Sequence, residues 1–368
     1  MGQRRPVRAK RQGRPLRGAA DDPVVANRRR LAELARSPQP RMERPPLPDG
    51  PTVAYAAKLV TIARQAYAIA DRTVGAAIRD QQRLAEQVTD ASDDERRARA
   101  KAQNRPHTEA EKRQLSLPFE VETAIRQMDA QAEAYAEKLP TAKLTAGAAV
   151  AIEKFNAGVQ LRVFTSLGLQ PVPLGSRLAA QRDEWTQVNA DLIRSQPREV
   201  AQRVRDVVRE MVPAGSRWET IAKRLAEEEG IAERRAQLIA RDQSAKYNAD
   251  LTRMQQQAVG FSHYEWRGAM DERERPTHAA LEGTVWSWEN PPIIGNPGEP
   301  IQCRCVAIPV TSAALQAKAS TWSEEELIAR TAALGPTQQQ GPDTSAADVR
   351  KRAAREVAAE IAMAGRRR

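Results

Sequence analysis

The sequence is short of the residues that most chemistry needs. Its 368 residues include two cysteines and three histidines. That excludes a disulfide scaffold and leaves no nucleophile–base pair that stands out. There is no P-loop, no G-x-G-x-x-G and no H-E-x-x-H. Aromatic residues make up 4%, so large apolar anchors are scarce. Long apolar runs are missing too. The longest weakly polar stretch, TAGAAVAI at 145–152, is too short to span a bilayer. The basic start MGQRRPVRAKRQGRP is followed by no apolar segment of the signal-peptide kind. Pro6 stands where a myristoylation motif needs Ser or Thr. The expectation is a reducing, cytoplasmic setting.

What is present is charge and helix formers. Charged residues reach 29%, and Ala, Gln, Arg and Glu dominate. The net charge of +11 lies at the ends: residues 1–50 carry +8 and residues 350–368 carry +5, which leaves −2 for the residues between. Basic ends of this kind suit a polyanion, held by counterion release without regard to sequence. Arg4, Arg5, Arg8, Lys10 and Arg11 at one end, and Arg366, Arg367 and Arg368 at the other, are the candidate nucleic-acid contacts.

Four regions are expected. Residues 1–50, rich in Arg, Pro and Gly, read as a disordered basic segment. Residues 51–175 read as long helices, on the spacing of Leu59, Ile62, Ala66, Ile69 and Ala70 and on the runs at 120–139 and 145–169. The breaker QPVPLGS (170–176) is the best internal boundary. A domain over 176–312 follows, and 313–368 form a linker and a basic C-terminal helix. All six tryptophans lie beyond residue 180, so the best-packed domain is expected there.

Within 176–312, Pro197 is expected to open a helix. Ser216 and Glu219 are expected to form a capping box, and Gly230 to end the helix that follows. The run 221–239, with Ala226 and Gly230, then reads as an αα-hairpin, with a helix-turn-helix as a less favoured alternative. After Gly260, the segments 261–268, 284–290 and 303–310 read as strands. The fold class is mainly α, with a small α+β C-terminal domain whose helices precede a short antiparallel sheet.

Both cysteines fall in IQCRCVAIPV (301–310). In an extended segment Cys303 and Cys305 face the same side. Ring strain argues against a bond between them. With His278 upstream, and Asp271 or His263 beside it, they make a donor set that suits tetrahedral zinc. On spacing alone the plainer reading, two small buried residues in a strand, is favoured. The acidic group Asp271, Glu272, Glu274 and Glu282 is interleaved with arginines and reads as solvated ion pairs.

Three runs in order, RRAQLIARDQSAKYNAD (234–250), YEWRGAMDERERPTHAALEGTVWSW (264–288) and PGEPIQCRCVAIP (297–309), resemble the phage Mu F-like minor head protein family, also called phage head morphogenesis proteins. The matching motif residues are Arg241 and Asp242, then Trp266, Asp271, Arg273, Arg275, His278, Leu281 and Gly283, then Cys303 and Cys305. Asp242 stands where threonine is more usual. The resemblance spans about 180–310. It implies a non-enzymatic minor component of a tailed-phage head, with portal, capsid or scaffold proteins as partners and the virion as its place. It also implies that Asp271, His278, Cys303 and Cys305 form one structural zinc site. A metal-dependent hydrolase using the same cluster is the alternative.

Overall fold

The computed structural model describes residues 22–88, 117–334 and 346–365. The candidate DNA-contacting residues at both termini lie outside this set. Within it the chain is mainly α-helical, with one three-stranded sheet.

Helix α1 (Pro23–Ala35) starts where Asp22 accepts the Val24 N–H at 2.8 Å, with proline in the first turn. Residues 22–50 thus depart from the disorder expected of 1–50. Leu34 is buried with Phe164, Leu167 and Phe261, which supplies the burial that composition did not promise. Helices α2 (Asp49–Ala70) and α3 (Ala76–Val88) are joined by a π-helical turn at Asp71–Gly75. Helices α4 (Phe119–Lys138) and α5 (Thr141–Ser166) follow.

Two long helices come next, α6 (Ser176–Met211) and α7 (Trp218–Val259). Both correct the sequence reading. Pro197 lies inside α6 instead of opening it. It removes one helical hydrogen bond, but its neighbours Ile193 and Val200 are buried on the inner stripe, and their burial carries the helix through. Gly230 lies inside α7, so 221–239 is neither an αα-hairpin nor a helix-turn-helix. A mid-helix glycine costs about 1 kcal/mol, whereas Leu225, Glu228, Ala232, Ala236 and Ala240 continue one buried stripe across it. Ser216 caps nothing. Instead Gln82, on α3, accepts the Trp218 N–H at 2.7 Å and donates to the Ser216 carbonyl.

The main core joins α2, α4, α6 and α7, so the break at 170–176 turns the chain without dividing the core. At its centre Tyr55, Trp185 and Tyr247 form a ring series with centroids 5.9 and 5.0 Å apart. The Tyr55 hydroxyl donates to Asn189 Oδ1 at 2.9 Å. The larger core is therefore helical, and the tryptophan-rich C-terminal part forms a second, smaller one.

Gly260, at φ 116°, ends α7 in the left-handed region. The sheet follows: β1 (His263–Arg267), β2 (Val285–Ser287) and β3 (Val306–Pro309), antiparallel in the order β2-β1-β3. Tyr264 pairs with Trp286 and Pro309, and Trp266 with Ala307. The period-two alternation buries Tyr264 and Trp266 on one face. A short helix α8 (Pro276–Ala279) sits between β1 and β2. After β3 come α9 (Ala313–Gln316), α10 (Glu324–Ala333) with its Ser323/Glu326 capping box, and α11 (Ala346–Gly365). The chain between α1 and α2 covers the outer edge of β3. Gln39 donates to the Pro309 carbonyl at 3.1 Å and accepts the Thr311 N–H at 2.8 Å, and Gln256 of α7 donates to the Ala307 carbonyl at 3.2 Å, so the strand edge is covered from two sides.

Candidate metal centre

The β1–α8 turn is built around one carboxylate. Glu274 accepts the backbone N–H of Ala269 at 3.1 Å and that of Met270. Gly268 makes room for it, since a Cβ there would lie 2.2 Å from Glu274 Oε1. Pro276 then starts α8 at a first-turn position, and His278 projects from it into the small core. There its ring meets Trp266 edge-on, centroids 5.6 Å apart at 85°.

The cysteines arrive on the loop before β3. Gly298 (φ 91°) lets this loop lie directly on α7, where a Cβ would come 2.4 Å from Ala249 Cβ. Gln302, at φ 56°, turns the chain into the cysteine pair. Its N–H is accepted by Asp242 Oδ1 at 2.8 Å, and its side chain donates to the Leu238 carbonyl at 2.8 Å. Helix α7 thus holds the cysteine loop from behind.

His278 Nδ1 lies 3.3 Å from Cys305 Sγ and 3.5 Å from Cys303 Sγ. One ligand atom from each of the three residues falls within 4.8 Å of the others, and all three are buried. Metal–ligand bonds of about 2.0–2.3 Å at tetrahedral angles separate ligand atoms by about 3.3–3.8 Å, so the histidine–sulfur distances are of the right size for zinc.

The electrostatics divide the two sulfurs. Burial opposes ionisation of Cys303, but hydrogen bonds from Cys305, His278 and the Gly298 N–H outweigh it and hold this thiol well below its usual range. The Gly298 N–H lies 3.2 Å from Cys303 Sγ. The Cys305 thiol is pushed up, first by its hydrogen bond with Cys303 and then by burial, and its Sγ lies 3.3 Å from Glu274 Oε1. Burial lowers His278, but the nearby Cys303 sulfur and Glu360 carboxylate outweigh that and leave it raised. Two thiols and an imidazole around one point fit a thiolate-preferring divalent ion.

Asp271, the fourth residue expected here, is not in the group. Side chains alternate along the C-R-C stretch, so Arg304 points away from the sulfurs and pairs with Asp271 on the exposed side. That pairing first, with the Arg273 backbone N–H adding to it, holds Asp271 down at about 2. His263 is also outside the group, where its Nδ1 lies 2.8 Å from Ser262 Oγ. The carboxylates that do approach are Glu274, beside Cys305, and Glu360, on α11, 3.8 Å from His278 Nε2. Glu274 was visible only as a member of an acidic run. Glu360 had no sequence signal at all, because a linker separates it from the motif.

Residues 202–308 match the family described as Phage Mu protein F like protein. The Mu F-like segment therefore contains α7, the sheet up to Ile308 and all three clustered donors. An uncharacterized protein of Haemophilus influenzae is 37% identical over 123 residues, which is 33% of this chain and 28% of that relative's length. No solved structure matches the chain.

The motif residues of the Mu F-like segment have identifiable tasks. Asp242 anchors the cysteine loop, Trp266 packs on His278, and Arg275 pairs with Glu360 at 2.7 Å. Gly283, at φ 72°, donates its N–H to the Trp266 carbonyl at 2.9 Å. Leu281 is fully buried. Arg241 is exposed, and Arg273 stands 3.9 Å from Asp271 on the surface.

Proposed function

We propose that this chain is a minor head morphogenesis protein of a tailed bacteriophage, working at the portal or inner capsid during head assembly and DNA packaging. The observation that carries this reading is the Mu F-like match over 202–308, which coincides with the His278, Cys303 and Cys305 cluster. Portal, capsid or scaffold proteins are the partners. The virion is the destination, reached by way of the host cytoplasm. Among the described residues no helix is long and apolar enough to cross a membrane. The basic termini supply sequence-independent contact with DNA.

The cluster holds a structural zinc ion in this reading. His278, Cys303 and Cys305 are 2–4% exposed, which leaves a substrate no approach. That supports a site that pins a small sheet over one that turns over a substrate, and a non-enzymatic role over a metal-dependent hydrolase.

Two measurements test these statements. Recombinant chain mixed with the portal and capsid proteins of its own phage should co-sediment with one of them; co-sedimentation with neither would sink the head-assembly role. Elemental analysis of untagged protein should find about one zinc per chain, lost in Cys303→Ser/Cys305→Ser. A protein free of metal in both forms would return the cysteines to plain packing.

A further inference from the structure

Two buried polar atoms near the cluster, one on the histidine and one on a carboxylate beside it, have no hydrogen-bond partner. His278 Nε2 makes no hydrogen bond, and neither does Glu360 Oε2. The nearer carboxylate oxygen, Glu360 Oε1, is 3.8 Å from that nitrogen and 2.7 Å from Arg275 Nη1. Glu360 is 4% exposed. It belongs to α11, beyond the Mu F-like segment, and its helix packs Val357 into the same core as the two cysteines.

A histidine that gives Nδ1 to a metal must carry its proton on Nε2. In the interior that N–H needs an acceptor. The two sulfurs lie at the other ring nitrogen, Arg275 only donates, and the carboxylate of Glu360 stands 3.8 Å from Nε2 as an acceptor. A carboxylate in this place fixes the tautomer and ring orientation of a metal-bound histidine and raises its basicity.

We infer that Glu360 is the positioning carboxylate of the His278 site, and that a zinc ion held there latches the C-terminal helix onto the Mu F-like segment. This rests on the metal reading above. The latch works in both directions, since linkage requires that a helix which favours the ion be favoured by it to the same degree. With the ion bound, the proton stays on Nε2 and the Glu360 carboxylate gains a charge-assisted hydrogen bond beside its Arg275 pair. Without it, Glu360 keeps only Arg275. The site is then more than a staple for the sheet: it strengthens the hold of the last helix on the family segment, beyond the packing of Val357 and the Arg275–Glu360 pair.

The test uses the full chain, with zinc and cobalt(II) as probes. Glu360→Leu keeps the apolar packing of α11 and removes the acceptor; Glu360→Gln keeps an acceptor oxygen without the charge. Zinc affinity should fall about 10- to 100-fold in the leucine variant and by less in the glutamine variant. The thiolate-to-cobalt absorption should survive in both, because Cys303 and Cys305 are untouched. In the wild type, zinc should slow amide hydrogen exchange across 346–365, and that slowing should shrink in Glu360→Leu. Wild-type affinity in Glu360→Leu, or exchange in 346–365 that ignores zinc, overturns the latch and leaves the zinc site standing. A wild type that takes up neither metal overturns both.

Discussion

Asp242 Oδ1 accepts the Gln302 N–H at 2.8 Å, so a residue in the middle of a 42-residue helix fixes the loop that delivers both cysteines. Gln302 sits at φ 56°, a conformation that non-glycine residues seldom adopt without support. Lys246, one turn on along the helix, pairs with the same carboxylate. Asp242→Ala removes the acceptor and leaves a part-buried N–H unmet. The expected loss is about 1–3 kcal/mol of stability, read from the urea midpoint. Asp242→Asn keeps an acceptor oxygen and should lose less. Equal losses in both variants would show that the Lys246 charge, not the Gln302 bond, is what matters.

Gly298 makes a sharper case. Its φ of 91° strains any other residue, and a Cβ would sit 2.4 Å from Ala249 Cβ. Gly298→Ala should therefore destabilise by about 1–3 kcal/mol. Adding Ala249→Gly removes the collision but not the backbone strain, so the double variant should recover part of the loss. Full recovery would mean that φ costs nothing here; no recovery would mean that the collision is relieved by other means.

Much of this was legible in the sequence, and the reason is periodicity. The alternation in 261–268 and the three- and four-residue spacing around Leu59 are local patterns, and local patterns survive into the fold. Pro197 and Gly230 misled because they are local breakers overruled by long buried stripes, and burial depends on distant partners. Helix α1 was hidden in a basic, proline-rich stretch because its anchor is Phe164, far along the chain. The three donors could be picked out from residue type and order. The carboxylates around them could not: Asp271 was carried outward with Arg304, and Glu360 came in from another helix.

His263 offers a pH test away from the cluster. Burial, only partly offset by the nearby charge of Glu289, lowers its affinity for a proton. Its ring resonances should titrate below the ordinary histidine value of about 6.5. The unfolded chain then binds the proton more readily, so this group's contribution to stability is complete above the unfolded value and is lost as pH falls through it toward the folded value. His263→Gln should flatten that part of the stability profile. Titration of His263 at or above about 6.5 would contradict the assignment.

The basic ends need a test that spares the fold. Removing residues 1–50 would take away α1 and the Gln39 hydrogen bonds along β3, so weaker DNA binding could simply reflect a damaged structure. Residues 1–21 carry seven Arg/Lys against one Asp, and 366–368 are three arginines. A chain cut to 22–365 should keep its melting temperature, bind duplex DNA more weakly, and show a flatter dependence of log affinity on log salt. Every phosphate that the tails neutralise adds about 0.9 to the steepness of that dependence. The difference in slope between the full and the shortened chain therefore gives the number of phosphates the tails engage. Fluorescence anisotropy with two unrelated duplexes also checks sequence independence, since both should weaken alike. An unchanged slope would place DNA binding on the folded body, and weakening confined to one duplex would make it sequence-selective.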